Sequence, residues 1–426
     1  MNPPDLRSSR QRPGGRRAVV AATAATLCAS LPVYLVGALA VQIRRSLHFG
    51  PSTLGLVAGL YFVAAAASSV PLSRVSERVG GATVLRLGAL LEGLVLVALG
   101  LGSRDVASLA ALLVVAGVVA GWISPASYLF LARSVRPGRQ GRAFGVNQAA
   151  VPLAPLLGGL AVPIIALSVG WRWAFVLAGA LGVLASRLVP DPGPERPVRA
   201  WRRQREAADR SSLRLAPLVL LSVALGLGMF EASGLVTFLS SGAVALHLGA
   251  GTAGYLVAGC SLGAVLVRLA LGALVDRRPG DHFGVVATIM AIGALAIGAL
   301  AAVASQGLAD AWALAAVPAV AIGWGWNAVF NYAVVRSHPD APARATGVTD
   351  VGARLGGMLG PVVTGVVIAR LSYPAGWLVL AAVAALAASM VVAGRALLAR
   401  TPTPSTWPTT TDCPTTARPA ASSGAP

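Results

Sequence analysis

Arg187 to Arg214 reads RLVPDPGPERPVRAWRRQREAADRSSLR and is the only long polar segment between the two ends of the chain. It contains eight arginines and four acidic residues. The stretches on either side are almost wholly apolar and are interrupted only by short gaps that contain Arg or Gly. A basic, proline-containing linker between two hydrophobic halves indicates a membrane protein built from a duplicated bundle.

The composition indicates lipid rather than water as the main solvent. The 426 residues are 56% hydrophobic and 12% charged, with a mean hydropathy of +0.74, whereas about 25% of a typical soluble chain is charged. The net charge is +19, and every basic residue is Arg. These arginines lie between apolar runs, as topology determinants do, and not along one amphipathic face. We therefore expect no nucleic-acid partner.

No chemistry of a catalytic kind is readable. Cys28, Cys260 and Cys413 lie far apart, and the four histidines lack the spacing of metal ligands, so neither a disulfide framework nor a metal site is predicted. A Gly-Lys-Ser/Thr motif for binding ATP is absent from the sequence. The sequence predicts no cofactor, no metal and no enzymatic activity.

Twelve apolar runs approach or exceed the length that a helix needs to cross the hydrocarbon core, about 20 residues. Because backbone groups cannot stay unpaired in lipid, such runs are helices. The sequence thus predicts an all-α membrane protein with twelve transmembrane helices in two pseudo-symmetric six-helix bundles. The predicted spans are 18–42, 52–72, 82–102, 106–132, 143–168, 171–189, 215–245, 251–275, 283–304, 310–335, 345–369 and 374–398.

The predicted domains follow from these spans. Residues 18–190 form the N-terminal bundle and residues 215–399 the C-terminal bundle, joined by the linker 191–214. Residues 1–17 form a basic tail, and residues 400–426, rich in Pro, Thr, Ser and Ala, form a disordered tail.

The arginines set the predicted orientation. Most of those outside the spans fall on the linker side of the membrane, and the opposite side carries a small set: Arg44, Arg45, Arg104, Arg172 and Arg370. By the positive-inside rule, the linker and both termini are cytoplasmic. We expect a multi-pass protein of the inner (plasma) membrane that functions as a monomer.

The two halves repeat each other. Arg142-Ala-Phe-Gly-Val-Asn-Gln148 aligns with Arg344-Ala-Thr-Gly-Val-Thr-Asp350 at an offset of 202 residues, and the register continues through Pro155-Leu-Leu-Gly158-Gly159. Each segment opens the fifth span of its half. Six-plus-six repeats are the plan of many secondary transporters.

Loop and helix motifs resemble those of the major facilitator superfamily. Gly272-Ala-Leu-Val-Asp276-Arg277-Arg278-Pro-Gly resembles the family's loop motif, and Ser73-Arg-Val-Ser-Glu77-Arg78-Val-Gly80 is a degenerate counterpart in the first half. Pro155, Gly158 and Gly159 resemble a helix-five motif of antiporter branches, although Ala154 stands where Gly is usual. The resemblance covers about residues 18 to 398.

That resemblance implies alternating access, with the loop charges gating it. Contacts of Asp276, Arg277, Arg278, Glu77 and Arg78 would hold in one access state and break in the other. In the alternative interpretation, these residues are solvated and only fix the topology.

Charged groups inside predicted spans are expensive and are therefore functional candidates. Glu231, near the middle of the seventh span, is the leading candidate for proton coupling or substrate contact. Arg268 pairs with it, binds an anionic group of the substrate, or snorkels to headgroups. Asp350 and Arg354 share a helix face at i,i+4 and are read as a structural or gating pair. Glu92, in the third span, is a weaker candidate.

Polar and aromatic side chains complete the candidate cavity, since aromatic groups hold organic molecules and cations. For most of the tryptophans and tyrosines, helix packing or an interface belt is an equal alternative. They are Tyr34, Trp122, Tyr128, Asn147, Gln148, Trp324, Asn327 and Asn331.

The function expected from all this is secondary active transport of a small organic molecule, driven by protons. Efflux by antiport is favoured. An uptake symporter or a facilitator is the alternative, and a transporter-like membrane receptor or scaffold is a more distant one. The expected partners are the substrate, protons and the lipid bilayer.

Overall fold

The computed structural model describes residues 15–135, 140–190, 215–277, 282–338 and 342–400. Helices account for almost all of these residues, and there is no strand within the described ranges. In chain order the helices are α1 (Gly15–Ala38), α2 (Ala40–Leu47), α3 (Pro51–Val79), α4 (Gly81–Gly102), α5 (Val106–Ser134), α6 (Gln140–Ala161), a π-helix (Val162–Ala166), α7 (Trp171–Leu188), α8 (Leu215–Ala245), α9 (Ala250–Arg277), α10 (His282–Ser305), α11 (Ala309–Gly323), α12 (Asn327–Ser337), α13 (Pro342–Arg370) and α14 (Tyr373–Arg400).

The predicted fold class is confirmed. Ten of the described helices are long and apolar enough to cross a membrane, and Ala309–Gly323 is a shorter apolar helix. Together with α7, they correspond to the twelve predicted spans, and most bounds agree within a few residues. The tails and the linker 191–214 lie largely outside the described residues.

One predicted span is not continuous. The run 310–335 was expected to be a single helix, but α11 ends at Gly323 and α12 begins at Asn327. At the turn between them, the amide of Gly325 donates to the carbonyl of Ile322 at 3.0 Å, three residues back instead of four. Glycines on both sides of Trp324 make such a turn accessible, because they have no side chain to restrict the backbone. We call residues 324–326 the helix break.

Two other predicted spans also contain irregular turns. The fifth continues past Ala161 as the π-helix, in which Pro163 provides no backbone donor for the regular pattern. The first is interrupted at Leu39 before α2. In both cases the chain remains helical after the irregular turn and continues in the same direction.

The bundles meet through two equivalent helix pairs, α3 with α13 and α6 with α9. A Cβ atom placed on Gly55 would lie 2.1 Å from the carbonyl oxygen of Pro361, and one on Gly254 would lie 2.6 Å from that of Gly159. Gly159 and Pro361 are 202 residues apart, so they occupy the same place in the sequence repeat. The same close contact is therefore made twice, once across each pair.

A further repeat, which was not predicted from the sequence, follows the first span of each half. Leu47-His48-Phe49-Gly50 follows the first span, and Leu246-His247-Leu248-Gly249 follows the seventh. His48 and His247 have φ values of 55° and 64°, in the left-handed region that non-glycine residues rarely adopt. We call the end of the bundles at residues 190 and 215 the linker end, and the opposite end the far end. These turns lie at the far end.

Candidate functional site

Glu231 lies near the middle of α8 and faces the helix break. Its side chain is 1% exposed, and its Oε1 atom has no hydrogen-bond partner. A Cβ atom on Gly323, the last residue of α11, would lie 3.3 Å from that oxygen. Because glycine has no side chain, Gly323 leaves room for the carboxyl group of Glu231 where the tenth span is interrupted.

Arg268 of α9 binds the helix break from another side. Its Nε and Nη2 atoms donate to the carbonyl oxygen of Trp324 at 3.3 and 3.1 Å, and the guanidinium carbon lies 4.9 Å from the centre of the Trp324 ring. Carbonyl groups near the end of a helix accept from side chains because the regular pattern of backbone donors stops there. The donors of Arg268 are therefore directed to backbone carbonyls and not to Glu231.

Arg268 also joins the two bundles. Its Nη1 atom donates to the carbonyl oxygen of Gln148, in α6, at 3.3 Å. The residue four positions after Gln148 is Pro152, which has no N–H to donate to that carbonyl. A proline inside one bundle thereby provides a backbone acceptor for an arginine of the other.

Two tyrosines extend this contact into the N-terminal bundle. The rings of Tyr34 and Trp324 have centroids 5.7 Å apart, and the hydroxyl of Tyr128 donates to Oε1 of Gln148 at 3.0 Å. We call Tyr34, Tyr128, Gln148, Arg268 and Trp324 the arginine cluster. It brings together four of the predicted cavity residues and Arg268 at the interface between the bundles.

The two predicted asparagines connect α12 with α8. Asn331 donates from Nδ2 to Oδ1 of Asn327 at 3.1 Å, and Asn327 donates from Nδ2 to the sulfur of Met229 at 3.3 Å. Met229 is two residues before Glu231. The polar face of α12 thus lies beside the segment of α8 that carries the buried carboxyl group.

Trp122 and Asn147 occupy different surroundings. Trp122 packs against the apolar core, and its Nε1 atom has no partner. Asn147 accepts a hydrogen bond from Thr26 of α1 at 3.0 Å, while its Nδ2 atom is unpartnered.

Arg354 makes the second arginine contact between the bundles. Its Nη1 atom donates to the carbonyl oxygen of Ala65, in α3, at 3.2 Å. Asp350, one turn earlier on α13, is exposed. The charge of Arg354 also reaches Asp350, as the i,i+4 spacing suggests, so Arg354 faces both its own helix and the other bundle.

The loop motifs are described only in part. Gly80 ends α3 with φ 97°, a conformation that favours glycine, and its N–H donates to Ser76 at 3.0 Å. Arg278 lies outside the described residues, and so do the side chains of Glu77, Arg78, Asp276 and Arg277. Gly272 lies in the last two turns of α9, which ends at Arg277.

The helix-five motif lies on α6. A Cβ atom on Gly158 would lie 3.0 Å from that of Ala38, and Gly159 is packed against α9 at Ala258 and Gly254. Pro155 is inside the same helix. These small residues permit close approach of α6 to both α1 and α9.

Two repeated helical bundles that enclose a buried carboxyl group and a cross-bundle arginine define a duplicated, all-α, multi-pass membrane protein. The Major Facilitator Superfamily matches residues 22–351, and the chain belongs to this family.

Two relatives resemble part of the chain. An MFS-type efflux pump of Mycolicibacterium smegmatis is 29% identical over 182 residues, which are 42% of this chain and 42% of the pump. An uncharacterized MFS-type transporter of Mycobacterium tuberculosis is 31% identical over 153 residues, 35% of this chain and 26% of that protein. The matches therefore span less than half the length of either relative.

Solved structures share the fold over nearly the whole chain. A bacterial homolog of the human lysosomal transporter Spinster, in an inward-facing and occupied conformation, has a TM-score of 0.68 at 15% identity, covering 89% of this chain and 96% of that one. Its inward-facing and unoccupied conformation gives 0.64 at 15% identity, covering 91% and 97%. At this identity the likeness concerns the fold alone.

Proposed function

We propose that this protein is a secondary active transporter that exports a small organic molecule in exchange for protons by alternating access. The observation that carries the proposal is the carboxyl group of Glu231, which is buried at mid-depth beside the helix break with Oε1 unpartnered. An ionised carboxylate without a partner is strongly disfavoured in such surroundings, so the group holds a proton while it is enclosed. When the bundles rock and water reaches it, the proton can leave.

The surroundings of Glu231 suit an organic substrate. Trp324 and Tyr34 offer aromatic faces, and the amide groups of Asn327 and Asn331 offer hydrogen bonds on the adjoining helix. Substrate that binds here would contact both bundles. Competition between substrate and proton at one place is sufficient for exchange.

Export is favoured over uptake by two observations. Pro155, Gly158 and Gly159 resemble the helix-five motif of antiporter branches, and one partial relative is an efflux pump. Symport into the cell and facilitated diffusion use the same architecture, and they differ from antiport in the sign or absence of proton movement.

The proposal includes an orientation and a division into domains. The linker 191–214 and both termini lie in the cytoplasm, since arginines are concentrated on that side. Residues 18–190 and 215–399 rock as two bodies in a monomer in the inner (plasma) membrane. The loop charges around Gly80 and Gly272, together with Asp350 and Arg354, gate the linker end.

The test uses purified full-length protein in liposomes that contain a pH-sensitive dye. A panel of organic cations, organic anions and lipophilic drugs is added outside, and both internal pH and compound uptake are followed. We expect a pH change that depends on one class of compound, and its sign separates antiport from symport.

Glu231→Gln removes the proton site and keeps the shape of the side chain, so it should abolish the pH change. Asp310→Asn is the matched control, because it makes the same chemical change at an exposed position in the first turn of α11. Compound movement with an unchanged pH signal in the Glu231→Gln protein would refute the coupling role of Glu231.

A further inference from the structure

A second carboxyl group is buried in the N-terminal bundle. Glu92 lies at the middle of α4 with no exposed surface, and both of its carboxyl oxygens lack a hydrogen-bond partner. Its position matches that of Glu231 in two respects, mid-depth and an unpartnered oxygen. Unlike Glu231, it lies in the N-terminal bundle, away from the helix break.

The neighbours of Glu92 do not neutralise it. On the side of α7, Gly93 is packed against Gly179 and Val183, and on the side of α5, Gly88 is packed against Ile123. Among the described residues, the ionisable groups close enough to sense its charge are Cys28 of α1 and Tyr61 of α3. Neither is a cation at any pH, so no ion pair compensates a carboxylate at this place.

Tyr61 and Cys28 form one cluster with Glu92. The Tyr61 hydroxyl donates to the carbonyl oxygen of Ala29, the residue that follows Cys28 on α1. The cluster is therefore located where α1, α3 and α4 meet. It is polar and enclosed, and Tyr61 is also close enough to Tyr34 of the arginine cluster to sense its charge.

The adjoining turn of α1 is weakened. Pro32 lies inside α1 and has no N–H to donate to the carbonyl of Cys28, four residues earlier. Two residues further on, the Tyr34 ring packs against Trp324 at the helix break in a tilted arrangement. A movement of the arginine cluster would therefore act on α1 close to a turn that lacks one helical hydrogen bond, and Cys28 of that turn is near enough to Glu92 to sense its charge.

We propose that Glu92 is a second proton-binding site, which takes up and releases a proton during the transport cycle in addition to Glu231. In the enclosed state the group is a neutral carboxylic acid. When α1 moves and water enters, its O–H bond breaks, the proton passes to water and the carboxylate keeps the electron pair. This inference rests on the proposed function for its place in the cycle.

Infrared spectroscopy of the reconstituted full-length protein tests it without any substrate. A protonated carboxyl group gives a C=O stretching band that an ionised one lacks. We expect one such band to disappear in Glu92→Gln and to remain in Glu231→Gln. It should shift in deuterium oxide and fade reversibly on alkaline titration, and titration of the Glu92→Gln protein should release one proton fewer than that of the wild type.

Each outcome is decisive. An unchanged set of bands in Glu92→Gln means that the group is ionised and overturns the proposal, as does a Glu92 band that neither exchanges nor titrates. Glu92→Asp keeps a carboxyl group and should retain a shifted band, which guards against a folding defect in the glutamine variant. The proposed function fails separately, if Glu231→Gln leaves proton-coupled transport intact in the liposome assay.

Discussion

Arg268 of the C-terminal bundle donates a hydrogen bond at 3.3 Å to the carbonyl oxygen of Gln148 in the N-terminal bundle. The acceptor is available because Pro152, four residues later, lacks a backbone N–H. Arg354 makes a similar contact with Ala65 across the other helix pair. Both bonds must break if the bundles separate, so they stabilise the arrangement in which they are formed.

Replacing the proline should weaken this contact. In Pro152→Ala a new backbone N–H competes for the Gln148 carbonyl, and bonds to charged groups contribute about 1.5–3 kcal/mol. We expect partial loss, on the order of 1 kcal/mol, and hence roughly a fivefold shift towards the separated arrangement. Gln148 and Arg268 lie nearer the linker end than the far end, so loss of their contact opens the linker end and, by alternating access, brings the far ends together. Single-molecule FRET between cysteines introduced at the exposed far-end positions Arg104 and Gln306 should therefore report a smaller distance.

The control for that experiment is Pro318→Ala, which restores a backbone donor inside α11 instead. It should leave the FRET distribution where the wild type has it. Equal shifts in both variants would show that the effect comes from helix stiffness and not from Arg268.

The close contact at the far end should not tolerate an added methyl group. A Cβ atom on Gly254 would lie 2.6 Å from the backbone oxygen of Gly159, and overpacking of this kind costs about 1–3 kcal/mol. Gly254→Ala should therefore open the far end in the same FRET assay. On the same helix, Gly259 has no atom within 4 Å of its Cβ position, so Gly259→Ala should show no opening.

Trp324 should be more sensitive to truncation than a tryptophan outside the protein core. It is 2% exposed, packs against the Tyr34 ring and lies against Arg268. Trp324→Leu should lower the free energy of unfolding by about 2–4 kcal/mol, with a smaller loss for Trp324→Phe, which keeps a ring. Trp173, which is 51% exposed, is the control, and Trp173→Leu should change the thermal unfolding midpoint much less.

The far-end start of α5 should respond to acid. The backbone N–H of Ser108 and then its hydroxyl donate to the carboxylate of Asp105, and these bonds hold its pKa below the usual value of an aspartate. Because the pKa is lower in the folded state, the stabilisation is present above the unfolded pKa and is lost as pH falls through the folded one.

Asp105→Ala should therefore reduce the thermal midpoint at neutral pH, and the difference from wild type should narrow in acid. Asp105→Asn can still cap the helix with its side-chain oxygen, so its midpoint should depend less on pH. A difference for Asp105→Ala that stays constant down to strongly acidic pH would contradict this role for the carboxylate.

Much of the fold was predictable because lipid leaves few alternatives. An apolar run of sufficient length has to be helical, and so runs such as 215–245 had the same bounds in the sequence as in the structure. The helix break was not predicted, although two glycines flank Trp324. Glycine is common in continuous membrane helices, so the two glycines alone do not predict an interruption. The carbonyl group of Trp324 at the break is bound by Arg268, which lies 56 residues earlier in the chain.

The candidate site was predictable only where its contacts are local. Asn327 and Asn331 were both candidate cavity residues, and their i,i+4 spacing places them on one helix face, where they share a hydrogen bond. The same rule placed Arg354 beside Asp350 on α13, where its charge reaches that residue, but it did not predict the hydrogen bond from Arg354 to a carbonyl of α3. Contacts such as Tyr34 with Trp324 depend on how the bundles dock, which local periodicity does not specify.

The helix break divides the tenth span into two shorter helices, α11 and α12. A continuous helix passes rotation and tilt from one end to the other, and this coupling is weaker where the regular helix is interrupted, at residues 324–326. Asn327 connects α12 to α8 by its hydrogen bond to Met229, and Arg268 binds the helix break at the carbonyl of Trp324. We therefore expect the linker half of the tenth span to move with α8 more readily than with α11.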